Sequence, residues 1–218
     1  MPANVVALSV ETGSAGYAIA HQVADRLGFR YYDWEITQEA AALAGVPPSD
    51  VAAAERVPGF FERFMRRLGA ASAASIESTT GFIDPSPEIW DTALQTFSSD
   101  EYRKLIERVV KELAGSGDAV IVGHAGQYLL RDRPSTLRVL VHGSLAVRTQ
   151  RLAVEQGISH EEAGAMIKQS DKDRRELLRR LYHFEWTDAA MYDIAVDTDR
   201  IPPEIAVEAI VSFANHVP

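Results

Sequence analysis

The sequence predicts an α/β fold, a doubly wound parallel sheet of about five strands with helices on both faces. Three observations lead there. Short, mostly apolar, β-branched runs recur at 5–10, 118–126, 136–144 and 193–198, each with the composition of a strand buried on both faces. Stretches with helical periodicity separate them. The first run passes at once into a glycine turn and a helix, the opening of a βαβ unit.

Taken in order, "VVALSV" (5–10) is the first strand. Ile19, Val23 and Leu27 then recur at i, i+4 and i+8, and Gly28 is placed to end that helix. "FRYYD" (29–33) completes the first strand, helix, strand unit. From 36 to 100 the composition turns to Ala-rich helical patches broken by "GVPPSD", "ASAASIESTTG" and "DPSP", which reads as a helical insert. Within it Val57, Phe61, Phe64, Met65 and Leu68 share one helical face between Arg63, Arg66 and Arg67, a stripe suited to a core or to a homodimer surface. "DAVIVGHAG" and "TLRVLVHGS" restore the sheet. Ser159 and Glu162 have capping-box spacing and start a helix expected to run to about Tyr182. "DIAVDT" is the fifth strand, and "PPEIAVEAIVSFANH" a closing helix with proline in its first turn.

Composition narrows the function classes. The chain has 218 residues, of which 46% are hydrophobic, enough for one domain with a sizeable core. A formal charge of −9 argues against recognition of nucleic-acid backbones by bulk electrostatics. No cysteine is present, so disulfides, thiolate metal sites and cysteine nucleophiles are excluded. No apolar run reaches the length of a signal sequence or a membrane span, and a cytoplasmic protein with no membrane partner is expected.

Ligands of open α/β sheets bind at the carboxyl ends of the strands, where a helix N-terminus presents free N–H groups to phosphate. "SVETGSAGYAIA" (9–20) occupies that place. Read against the Walker A pattern, Val10 and Ala15 stand for its glycines, Gly16 for its lysine and Tyr17 for its Ser/Thr. The stretch is either a phosphate cradle or a tight β-to-α turn. Lys168, Lys172, Arg175 and Arg179 share one face of a later helix, with Arg174 and Arg180 beside it; this is an anion site, or a solvated face with i,i+4 pairs such as Asp171–Arg175 and Glu176–Arg180. Arg148 and Arg151 share a face just past the fourth strand, as ligand contacts or surface residues. Asp33, past the second strand, is a carboxylate for magnesium or for an acceptor proton, or else a helix N-cap. His124 and His142 read as polar strand-end residues, and no residue is assigned as a direct metal ligand.

Together these stretches resemble the cytidylate kinase-like family, a branch of the P-loop nucleoside monophosphate kinases, along nearly the whole chain. "SVETGSAGYAIA" is similar to that family's S-R-E-x-G-S-G-G-x-x-I-A, matching at Ser9, Glu11, Gly13, Ser14, Gly16, Ile19 and Ala20. "RYYDWEIT" resembles F-Y-D-K-E-L-I, and "IVGHAGQYLLR" resembles I-V-G-R-G-A-N-Y-I-L-R. "LRVLVHGSLAVRTQR", "DKDR" and "WTDAAMYDIAVDT" follow the later motifs in the same order.

The resemblance implies a P-loop fold in a single domain, with core segments 1–35, 101–165 and 188–218, a helical NMP-binding insert at 36–100 and a lid at 166–187. It implies ATP, Mg²⁺ and a small-molecule nucleotide as ligands. Gly13, Ser14, Ala15, Gly16 and Tyr17 would line the phosphates, with Arg148 and Arg151 on the donor side. Asp33 would face the acceptor or metal, and Lys172, Arg174 and Arg175 would form a lid clamp. The implied activity is transfer of the ATP γ-phosphate to an acceptor such as CMP; the alternative is a catalytically impaired member that binds a nucleotide or a protein partner without turnover. The chain departs from the family at Val10, Ala15 and His124, where arginine, glycine and arginine are usual.

Overall fold

A computed structural model describes residues 2–45, 48 and 99–217. In chain order it contains β1 (Val5–Val10), α1 (Gly16–Leu27), β2 (Arg30–Tyr32), α2 (Trp34–Ala44), α3 (Ser99–Ser116), β3 (Ala119–Val122) and α4 (Gly126–Leu129). There follow β4 (Thr136–His142), α5 (Leu145–Gln156), α6 (His160–Tyr182), a 3₁₀ turn (Ala189–Met191), β5 (Ile194–Asp197) and α7 (Pro203–Ala214). The five strands form one parallel sheet in the order β2-β3-β1-β4-β5, the doubly wound fold expected from the sequence. The start and end of the expected insert are α2 and the first residues of α3. Its aromatic stripe, Val57 to Leu68, lies outside the described residues.

β1 sits at the centre of the sheet, and all six of its residues are buried. Alternation assigns its side chains to two cores. Val5 and Ala7 pack with Ala119 and Ile121 beneath α2, α3 and Trp186. Val6, Leu8 and Val10 pack with Ile19, Val23, Val139 and Ile210 beneath α1 and α7. Both faces are covered, which is why these strands read as continuous apolar runs.

α6 begins where the capping spacing places it: the Ser159 hydroxyl accepts from the Glu162 amide, and the helix runs 23 residues. Its two ends are anchored differently. Ala163 and Ile167 join Leu152 and Ala153 of α5 in a small core separate from the sheet. Leu178, Leu181 and Tyr182 belong to the main core. Between them, Ser170 and Arg174 reach the carboxyl end of β1 and the loop after it through hydrogen bonds. No described helix is long and apolar enough to cross a membrane.

At the start of β5, Asp193 accepts from the Arg138 backbone amide at 2.8 Å and from its guanidinium at 2.6 Å. Burial pushes the Asp193 carboxyl up, but these hydrogen bonds and the guanidinium charge outweigh it and hold the group below its ordinary value. A depressed folded-state value means that the contribution is complete above the ordinary aspartate range and is lost as pH falls through the folded value. Below about pH 4, wild-type stability is expected to fall more steeply than that of Asp193→Asn, checked by urea melts across pH 2.5 to 6, a window of about two units around the aspartate reference.

Candidate phosphate-binding site

The loop from Glu11 to Ala15 joins β1 to α1, and its shape follows from two left-handed residues, Gly13 at φ 80° and Ala15 at φ 62°. Alternating backbone signs of this kind turn successive N–H groups toward one concavity, an arrangement that suits an anion. The Ser14 amide is held by the Glu11 carbonyl at 3.0 Å, and the Ser14 hydroxyl accepts from the Gly16 amide at 3.3 Å. Among the described residues, the amides of Gly13 and Ala15 donate to no protein acceptor. Two unsatisfied donors in a left-handed loop before a helix N-terminus fit a phosphate.

The glycines are explained by close approach. A Cβ on Gly13 would lie 2.5 Å from the Arg148 carbonyl oxygen, so the loop rests directly on the first turn of α5. A Cβ on Gly16 would lie 2.5 Å from Val10 Cγ1. Val10 is 1% exposed and points beneath the loop into the α1 and α7 core. An arginine at position 10, as in the family pattern, would put its charge under the loop or force the loop to move. Gly16→Ala alone is therefore expected to cost about 1–3 kcal/mol by overpacking. Adding Val10→Ala should recover little of that loss in denaturant melts, because the Val10 Cβ, which alanine keeps, would itself lie 2.6 Å from the new methyl group.

Arg148 lies behind this loop, 5% exposed. Its Nη1 and Nη2 bond Asp171 Oδ1 and Oδ2 at 3.1 and 2.8 Å, its Nη1 also donates to the Thr12 carbonyl at 3.3 Å, and its Nε donates to the Gly143 carbonyl at 3.0 Å. Glu11 Oε2 stands 3.2 Å from Nε and accepts from the Gly143 amide at 3.1 Å. Thr12 and Ser170 share a hydroxyl hydrogen bond at 2.9 Å. The expected Asp171–Arg175 pair is thus replaced: Asp171 reaches inward to Arg148, while Arg175 and Arg179 meet Glu185. Glu176 pairs with Lys172 at 3.9 Å. Arg151, one turn after Arg148, bonds the Thr198 hydroxyl at 2.9 Å and its carbonyl at 2.6 Å, tying α5 to the end of β5. Both arginines of α5 spend these donors on protein groups.

The three cations of the expected lid clamp separate. Arg174 alone reaches the loop, where its Nη1 donates to the Val10 carbonyl and its guanidinium lies 4.9 Å from the centroid of the Trp186 ring. Trp186 is 1% exposed, and among the described residues its indole N–H meets no acceptor. Lys172 and Arg175 are exposed on the outer side of α6. Helical spacing alone could not assign these directions, since residues 172, 174 and 175 span most of a turn.

Asp33 occupies the N-cap position of α2, although its side chain makes no capping bond there. Burial first, then the charge of the Asp33 carboxylate, pushes the Tyr31 phenol above its ordinary value. Tyr31 also stacks on His21, ring centroids 3.7 Å apart. His124, just past β3, places Nε2 at 3.0 Å from the Asp33 carbonyl oxygen, joining the ends of β2 and β3. Tyr17 is exposed in the first turn of α1. Among the described residues, no group of three or more acidic or histidine side chains is placed to hold a metal. Sequence reasoning missed Ser170, whose hydroxyl meets that of Thr12 in the loop, and the packing of Trp186 against Arg174; of the two, only Trp186 fell in a stretch quoted for the family resemblance, "WTDAAMYDIAVDT".

The sequence matches the cytidylate kinase-like family over residues 5–200. This chain belongs to that family. A cytidylate kinase from Pyrococcus horikoshii is 30% identical over 149 residues, covering 68% of this chain and 69% of that one. A cytidylate kinase from Ignicoccus hospitalis is 32% identical over 105 residues, covering 48% and 60%. The chain spans 53% of the Methanopyrus kandleri relative and 61% of the Pyrococcus abyssi one. A crystal structure of an uncharacterized protein from Eubacterium ventriosum has TM-score 0.65 at 17% identity, covering 96% of this chain and 97% of that one, a likeness of fold. From α6, Ser170 meets the Thr12 hydroxyl of the loop after β1 and Arg174 meets the Val10 carbonyl.

Proposed function

We propose that this family member is a nucleoside monophosphate kinase-like phosphotransferase that moves the γ-phosphate of ATP to a small acceptor, with CMP the first candidate. The observation that carries this reading is the meeting, at the carboxyl end of β1, of the free Gly13 and Ala15 amides with the Arg174 guanidinium. In the reaction an acceptor oxygen attacks the γ-phosphorus in line, the bond to the β,γ-bridging oxygen breaks, and ADP leaves. The loop amides and the N-terminus of α1 hold the donor phosphates. Arg174 balances charge that develops during transfer, in a family whose loop here has glycine at position 16 and valine at position 10. Asp33 faces the acceptor side, where its carboxylate can accept a proton or hold magnesium through water. Magnesium, when bound, would neutralise phosphate charge, and such a site needs only one or two protein carboxylates beside the phosphates. Arg148 and Arg151 act from behind, shaping the loop and the end of β5. Lid closure by α6 and the NMP-binding role of 36–100 belong to the same proposal.

The second reading is a member that binds nucleotide or a protein partner without turnover. It is favoured by the outward placement of Lys172 and Arg175, which leaves Arg174 as the lid cation at the loop. Thermal shift with ATP, GTP and CMP, with and without Mg²⁺, followed by an ADP-release assay over a panel of nucleoside monophosphates, separates the two. Saturation at 100 times Kd should add about 2.7 kcal/mol of stability. No shift with any nucleotide overturns both nucleotide readings; a shift without ADP formation overturns the kinase.

A further inference from the structure

We propose that Arg148 is a positioning residue that couples the phosphate loop and the middle of α6 into one mechanical unit, with Glu11 and Asp171 as its two carboxylate anchors. As a device serving phosphoryl transfer this rests on the kinase reading; as a coupling between two chain segments it does not.

The argument begins with what holds α6 in place. Its N-terminal part packs on α5 in a core of its own, and its C-terminal part packs in the main core. The segment between them, which delivers Arg174, meets the loop through polar groups. The hydrogen bonds seen across that junction among the described residues run from Asp171 to Arg148, between Ser170 and Thr12, and from Arg174 to the Val10 carbonyl. Arg148 is the one that grips both sides at once. It receives two oxygens of Asp171 from α6, and the Thr12 carbonyl and Glu11 carboxylate from the loop. A rigid planar fork fits two carboxylates and two carbonyls in fixed directions, which an ammonium cannot do.

The consequence concerns Arg174, three residues beyond Asp171 on the same helix. Asp171 and Arg174 lie on neighbouring turns of one face, so fixing one fixes the approach of the other. If the loop shifts to accept a phosphate, Arg148 carries α6 with it, and the Arg174 guanidinium keeps its place relative to the loop. A disturbance at the junction is then felt at both segments, and the sheet that supports them is left alone.

Hydrogen exchange on the full chain, read by mass spectrometry at residues 10–17 and 165–175, tests this directly. Asp171→Asn should speed exchange about tenfold in both segments together, with β3 and β4 unchanged. Ser170→Ala, which removes one neutral hydrogen bond, should change either segment by less than about threefold. Faster exchange confined to α6, or no change in the loop, overturns the coupling. Faster exchange throughout the sheet also overturns it, since the residue would then be a general stabiliser. In the ADP-release assay, Asp171→Asn should lower kcat about tenfold and move the KM for ATP less than threefold, the signature of a group needed in the transition state. Equal changes in both overturn the positioning role. If the wild-type chain forms no ADP with any acceptor, the kinase reading fails by itself, and the exchange experiment still decides whether the two segments are coupled.

Discussion

Replacing Arg174 with alanine is expected to lower turnover about 10³-fold, the range seen when a transition-state arginine is lost in phosphoryl transfer. The physical reason is position. Among the three cations read as a lid clamp, its guanidinium is the one at the loop, donating to the Val10 carbonyl and lying over the Trp186 ring. Walker lysine chemistry is unavailable at Gly16, whose Cβ space is taken by Val10. On the proposed reading, stabilisation of charge on the transferred group would therefore depend on Arg174 more than it would in a loop carrying its own cation. On that same reading, ATP in the ground state would be held chiefly by the loop amides and the N-terminus of α1, so the thermal shift with Mg·ATP should fall much less than kcat. Lys172→Ala and Arg175→Ala, at exposed pairs, should leave kcat within a few-fold, as is usual for surface ion pairs worth about 0–1 kcal/mol. A uniform, small effect at all three positions would remove Arg174 from the chemistry.

The largest expected loss of stability is at Arg148. Arg148→Met leaves the Glu11 and Asp171 carboxylates without their shared cation, and breaking a buried pair by removing one partner costs about 3–5 kcal/mol. For a domain of this size that is a fall of about 10 °C in Tm. Asp171 is partly solvent-exposed, so the lower end of the range is the better expectation. The control removes every charge: Glu11→Gln, Asp171→Asn and Arg148→Met together should recover most of the loss, because no buried charge is left uncompensated. Thermal melts at fixed salt read both. If the triple variant melts with the single one, packing of the arginine stem rather than its charge is what matters.

Much of this was legible in the chain. The strands of the sheet are recognisable because burial on both faces demands continuous β-branched apolar runs, and "VVALSV" is such a run. Gly28 and Ser159 mark helix ends because left-handed backbone and capping hydroxyls have few substitutes. The loop was legible too, as a glycine turn between the first strand and helix, and the six motifs in order pointed to the family that the comparison then matched.

Side-chain direction was not legible. Spacing puts Lys172, Arg174 and Arg175 within one turn, and their fates diverge because α6 is pinned at both ends by separate cores that set its rotation over the loop. Asp171 has a plausible i,i+4 partner in Arg175, yet a buried guanidinium on another helix outcompetes it, since a fork with two aligned hydrogen bonds away from water is stronger than a solvated pair. Val10 reads as a lost cation in the sequence and proves to be core in the structure, filling the space that makes glycine necessary at position 16. Local pattern decided the elements and the family, because hydrophobic period and turn chemistry act over a few residues. Which charges reach the loop after β1 and which brace it from behind was decided only when β1, α5 and α6 came together, because that choice depends on burial and on partners more than a hundred residues apart in the chain.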